Sequence, residues 1–184
     1  EFEDDKGVKV YRVENYMITP NNFTDWIMQL NFNLIAKSTE IINGKGKFDV
    51  IHAHDWLVTY AAKTLKQSYK IPLVATIHAT EHGRNNGIYT DMQKYIHDSE
   101  WWLTYEAWKV ICNSQYMQND ITSIWGLPRE KTRIIFNGVN LNKFDGIYKD
   151  MDFRRRYAMD NEKVVFFVGR MVWEKGVRVL VDAN

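Results

Sequence analysis

Six short runs of β-branched and aromatic residues recur along the chain, at positions 8–13, 48–53, 73–77, 108–112, 133–136 and 164–168. Segments of helical period lie between most of them. Trp26, Ile27, Leu30, Leu34 and Ile41 keep to one face, with Asn22 and Thr24 ahead of them as cap residues and Asn43-Gly44 behind, so a helix is predicted there. Leu57, Tyr60, Ala61, Thr64 and Leu65 predict a second helix. Tyr116, Ile121, Ile124 and Trp125 predict a third, stopped by Gly126 and Pro128. Continuous apolar strands alternating with amphipathic helices are the pattern of a parallel sheet covered by helices. The predicted fold class is therefore α/β, a doubly wound, Rossmann-like parallel sheet.

In such sheets ligands sit beyond the carboxyl ends of the strands, so the residues directly after each run are the ones to read. Four of those ends are polar: His52-Ala53-His54-Asp55, His78-Ala79-Thr80-Glu81-His82, Asn137-Gly138-Val139-Asn140, and the loop from Gly169 to Gly176. That last loop carries Arg170 and Lys175, and Gly176 opens a helix-patterned Val177-Arg178-Val179-Leu180-Val181. Two cations between glycines, next to free helix N–H groups, suit a diphosphate. A departing diphosphate gains negative charge, and fixed cations there lower the barrier without a metal. On their own, the same two side chains read as surface cations on a turn.

The two histidine clusters admit a metal reading, because alternating His with Asp, and His-x-x-Glu-His, resemble ligand sets. The second spacing works only on a helix, and Gly83-Arg84-Asn85-Asn86-Gly87 predicts a loop. The favoured reading is a polar cleft for a hydroxyl-rich ligand and no metal, with His54 fixing a sugar and Trp56 packing beneath it. Sugars present hydroxyl edges and apolar C–H faces, which call for that pairing. Gly44-Lys45-Gly46-Lys47 lacks the spacing and the Ser or Thr of a P-loop, and no G-x-G-x-x-G occurs. Trp101, Trp102, Tyr105 and Trp108 read as core or as a helix face.

Composition narrows the partners. Lys and Arg number 24 against 23 Asp and Glu, a net charge of +1, so no overall field favours nucleic acid or a membrane surface. No apolar stretch is long enough to span a bilayer, and no basic-then-apolar leader opens the chain, so a cytoplasmic location is expected. The single Cys112 follows Val110 and Ile111, which predicts a buried structural thiol. The 184 residues, 45% hydrophobic, allow one domain or one plus a piece. Periodicity fades after Asn140, so the expected division is a domain over 1–140, a linker over 141–152 and the start of a second domain over 153–184. Arg154-Arg155-Arg156, in a short helix expected from Phe153 to Tyr157, read as a solvated face.

Several separated stretches agree with one family. Ile51-His52-Ala53-His54-Asp55-Trp56, Thr76-Ile77-His78-Ala79-Thr80-Glu81-His82-Gly83-Arg84, Asn113-Ser114, Asn137-Gly138-Val139-Asn140, and Val168-Gly169-Arg170 through Lys175-Gly176 resemble the retaining glycosyltransferases of GT-B type, built of two Rossmann-like domains. Within these the likeness is nearest to bacterial and archaeal glycogen or starch synthases. The resemblance implies transfer of glucose from ADP-glucose or UDP-glucose to an α-1,4-glucan, with retention, no cofactor and no required metal; the alternatives are a related two-domain transferase acting on sucrose, trehalose or a lipid and, more distantly, a metal-dependent hydrolase. It implies that Arg170 and Lys175 hold the donor diphosphate and that His54 contacts the donor sugar. It places His78, Glu81 and His82 on the acceptor side of the cleft, and Asn137 and Gly138 at the end of the first domain. Relatives also carry a glycine-rich loop with a lysine near their N-terminus and a paired-glutamate motif deep in the second domain. Neither occurs in these residues, so an internal piece of such an enzyme is expected, inactive by itself because transfer needs both domains to close over the donor.

Overall fold

In the structure, a computed structural model, residues 1–14, 18–145 and 150–183 are described. They fall into two units, Glu1–Phe136 and Asn137–Asn184, each treated by itself.

The first unit opens with an antiparallel hairpin of β1 (Phe2–Asp5) and β2 (Val8–Tyr11). Lys6 and Gly7, at φ 53° and 89°, supply the positive-φ pair that a two-residue hairpin turn needs. The run at 8–13 thus pairs locally with β1 and stands apart from the parallel sheet. Helix α1 (Phe23–Lys45) starts where its cap predicts, with Asn22 Oδ1 accepting the Asp25 N–H at 2.8 Å. Its Ile27 is fully buried with Trp56 and Ile96.

The sheet consists of β3 (Ile51–His54), β4 (Leu73–Ile77), β5 (Lys109–Cys112) and β6 (Thr132–Ile134), all parallel and in the order β3-β4-β5-β6. A 3-10 turn at Trp56–Val58 and α2 (Thr59–Tyr69) link the first two strands. Helices α3 (Glu81–Asn85) and α4 (Asp91–Glu106) link β4 to β5, and α5 (Gln115–Trp125) links β5 to β6. Gly126, at φ 64°, ends α5 in the left-handed conformation its position predicts. Right-handed crossovers that all step the same way across a sheet lay their helices on one face. Ala53, Leu73, Ala75, Ile77, Val110 and Cys112 form that face, packed with Ala62 of α2, Leu103 of α4 and Met117 and Ile121 of α5. His52, His54, Val74, Thr76, Lys109, Ile111 and Arg133 alternate with them and belong to the other face. The parallel α/β fold is as expected, and the described strands supply one direction of its winding.

One helix in this unit differs from the sequence reading. The stretch predicted as a loop from Gly83 to Gly87 begins as helix α3, because Thr80 Oγ1 accepts the Gly83 N–H at 2.9 Å and caps it. The left-handed Asn86 (φ 54°) then ends the helix. On α4, Trp102 packs edge-on to Tyr60, whereas Trp101 and Tyr105 stack on each other on the outside. Cys112 is fully buried, and burial pushes its thiol up to about 11, as befits a structural residue.

In the second unit, Leu141–Lys143 and Trp173–Lys175 are 3-10 turns, and α6 (Met151–Arg155) and α7 (Val177–Asp182) are short helices. Helix α6 begins two residues before the expected Phe153 because Asp150 Oδ1 accepts the Phe153 N–H at 2.9 Å. The expected linker over 141–152 falls within this unit, and its residues 146–149 lie outside the described ones. The strand expected at 164–168 is not formed. A strand exists only through the edge it pairs with, and among the described residues of this unit there is none; Phe166 and Val168 are more than four-fifths exposed.

Candidate functional site

His54 is the last residue of β3 and His78 the first after β4, and these strands are neighbours in register. The parallel ladder therefore brings the two imidazoles together, with His54 Nδ1 3.0 Å from His78 Nε2 and the rings 17° from coplanar. One proton bridges the two nitrogens. His54 Nε2 and His78 Nδ1 have no protein partner among the described residues and are free to meet a ligand. His52, two residues back on the same face, has its ring 4.3 Å from that of His54 and its Nε2 2.7 Å from Thr76 Oγ1. Burial, then the neighbouring His54 and His78, lower the pKa of His52.

Asp55 follows, at φ 57° and ψ 175°, a region that essentially only glycine occupies. Holding it there costs about 1–3 kcal/mol. Two bonds fix it: Asp55 N–H donates to the Thr76 carbonyl at 3.0 Å, and Asp55 Oδ1 accepts the His78 N–H at 2.9 Å. The strained residue thus ties the two histidine-bearing strand ends to each other. Trp56 does not serve as the expected platform beneath a sugar. Only 6% exposed, it packs with Ile27 and Ile96 and meets Phe23 and Tyr95 edge-on, because the sharp turn at Asp55 drives it into the core.

The turn after His78 is pinned in turn. Thr80 Oγ1 donates to Asp120 Oδ2 at 2.9 Å, and the Glu81 N–H donates to both carboxyl oxygens of Glu100 at 3.0 Å. The Glu81 side chain is engaged by Asn85 at 3.0 Å and by Arg84 at 3.6 Å, and is mostly buried. His82 turns inward: its Nδ1 is buried with no partner, as is Nδ1 of His97. The His97 pKa is lowered first by burial, with the His82 charge adding to this and Asp98 opposing it. Of the residues expected around this cleft, His54 and His78 meet each other at the strand ends, whereas Trp56, Glu81 and His82 are committed to the core, to α3 and to the interior.

Glu100 was not apparent among the sequence candidates, although it lies on the buried stripe of α4 with Ile96, Leu103 and Ala107, spaced four, three and four apart. At 1% exposure it is an acid inside the protein, and burial above all pushes its pKa up to about 8 from 4.5. Glu81 and Asp55 add to the rise, and the Glu81 N–H and Arg84 oppose it. Between those two pH values the unfolded chain has released this proton and the folded chain still holds it, so stability falls as pH rises and the full loss is reached above about 8. A shift of this size is a penalty of several kcal/mol, at about 1.4 kcal/mol per unit. Glu100→Gln has nothing to ionise. Urea denaturation at pH 5 and pH 9 should show wild type losing a few kcal/mol relative to E100Q across that window; parallel losses would show that Glu100 ionises normally.

In the second unit, Arg170 precedes the 3-10 turn that holds Lys175, and Gly176 (φ 65°) leads into α7. Arg170 is 73% exposed and reaches only Glu174, at 3.4 Å, while Lys175 is exposed. Asn137 and Gly138 open this unit. Among the described residues no group of three or more His, Cys, Asp or Glu is placed to hold a metal ion, and no helix is long and apolar enough to cross a membrane.

The chain is similar to several known proteins. The family model described as Glycosyltransferase Family 4 matches residues 3–143. An uncharacterized glycosyltransferase of Methanocaldococcus jannaschii is 37% identical over the whole chain, which covers 47% of that protein. A glycogen synthase of Mycobacterium tuberculosis is 35% identical over 73% of the chain and 31% of its own length. Sucrose-phosphate synthase from Thermosynechococcus elongatus has the same fold, with a TM-score of 0.75 and 21% identity, over 98% of this chain and 45% of its own. The chain thus spans less than half the length of each of these proteins.

Proposed function

The chain belongs to glycosyltransferase family 4, and from that premise we propose that it is part of a retaining hexosyltransferase that moves glucose from ADP-glucose or UDP-glucose onto an α-1,4-glucan. The observation that carries the choice of glucose and glucan is the 35% identity to a glycogen synthase over 136 residues, a stretch long enough to include both histidine-bearing strand ends. In this reading the free nitrogens of the His54–His78 pair present hydrogen-bond donors or acceptors to hydroxyl groups, with His54 on the donor hexose. Arg170 and Lys175 neutralise the charge that grows on the diphosphate as the glycosidic bond to it breaks. Neither role asks for a metal. Asn137 and Gly138 are assigned to the end of the first domain, and 141–152 to the link.

The test is incorporation of labelled glucose into glycogen by the full-length protein, offered ADP-glucose and UDP-glucose in turn, with and without EDTA. Label released by α-amylase, at a rate indifferent to EDTA, is the expected result. The 184-residue chain by itself is expected to incorporate none. No transfer from either donor, or a product that α-amylase leaves intact, would overturn the glucan assignment.

A further inference from the structure

Three of the four residues after β4 bond to three carboxyl groups from separate parts of the chain: His78 to Asp55, Thr80 to Asp120 and Glu81 to Glu100. Asp55 follows β3, Glu100 sits on α4 and Asp120 on α5. Of these, Glu100 is the one that takes a helix N–H: Thr80 caps α3 through the Gly83 N–H, and the Glu81 N–H, which has no partner within the helix, goes to Glu100. An apolar side chain between Ile96 and Leu103 would pack with the core, whereas a carboxyl buried there loses its hydration for a single N–H donor.

We propose that Glu100 is a positioning residue for the imidazole pair: by holding the Glu81 N–H with its carboxyl group, it fixes the turn that sets His78 against His54. With Asp55 on the His78 N–H, both ends of the four-residue turn are held, and His78 Nε2 has one place to sit. The catalytic consequence rests on the functional reading above; the positional claim rests on geometry alone. Arg84, Glu81 and Asp55 are the charged groups that bear on Glu100.

The test deletes the N–H and leaves Glu100 in place. Glu81 is the first residue of α3, where proline is tolerated, and Thr80 before it is at φ −106° and ψ 149°, the conformation that precedes a proline. Glu81→Pro therefore removes the donor without forcing the backbone. Glu81→Ala removes only the side chain, and Glu100→Gln keeps an acceptor. In the full-length protein labelled at histidine with nitrogen-15, the ring signals of His54 and His78 are expected to move in E81P and to stay in E81A and E100Q. The kcat of E81P is expected to be at least tenfold below that of E81A, roughly the cost of disturbing a placed polar group, with donor KM within about twofold. Unmoved signals in E81P, or equal displacement in E81A, would overturn the proposal. Should the wild-type protein transfer no sugar, the functional reading fails while the ring signals still decide the positional one.

Discussion

If both cations hold the donor diphosphate as proposed, alanine at both Arg170 and Lys175 is expected to lower kcat of the full-length protein by at least roughly three orders of magnitude, because one donor to a developing oxyanion is worth about 100- to 1,000-fold and two are lost. Donor KM should rise as well, since in that role both cations also meet the ground-state diphosphate. Stability is not expected to follow. Arg170 is 73% exposed and its contact with Glu174 is 3.4 Å long, the kind of surface pair that contributes about 0–1 kcal/mol. Lys175 is exposed too. Melting temperature and steady-state kinetics measured on the same preparation separate the two effects. A double variant within threefold of wild type in kcat would remove these cations from the mechanism.

His54→Ala is the second large effect, about 100-fold in kcat if the imidazole meets the hexose as proposed. His54 is exposed and contributes to neither apolar cluster, so the loss should come without unfolding. The same variant carries an internal check. After burial itself, His54 does most to depress the pKa of His52, so in H54A the His52 titration followed by NMR should move upward. Loss of transfer with an unmoved His52 would mean that the contact between the two rings does not hold in solution.

The winding of the first unit was legible because its signals are local. Asn22 and Gly126 sit where caps belong, and both perform that role, whereas Thr24, the other expected cap, lies inside α1. The strands at 73–77 and 108–112 lie in a continuous sheet, so their apolar character reports directly on burial. What failed was whatever depends on a partner elsewhere. The run at 164–168 has a strand's composition, yet pairing is a property of two edges, and composition describes one. Residues 2–5 are mostly acidic and read as nothing; they become a strand because Lys6-Gly7 folds them against Val8–Tyr11.

The site divides in the same manner. His54 and His78 were readable, since adjacent strand ends in a parallel sheet bring their following residues together. Trp56 was not, because its direction depends on the unusual backbone of Asp55 rather than on residue type. Glu100 was hidden by its charge: a glutamate next to Trp101 and Trp102 reads as solvated, and only its spacing from Ile96 and Leu103 marks it as internal.

The order β3-β4-β5-β6 also bears on how the polypeptide reaches this state. Within this sheet β4, β5 and β6 each lie beside the strand made just before. Closing each intervening loop costs entropy that grows only slowly with its length, and assembly can advance from the ribosome outward, one crossover at a time. The histidine pair comes into register at the first of those steps, when β4 docks on β3. The Glu81 N–H gains its acceptor later, once α4 emerges and Glu100 is delivered.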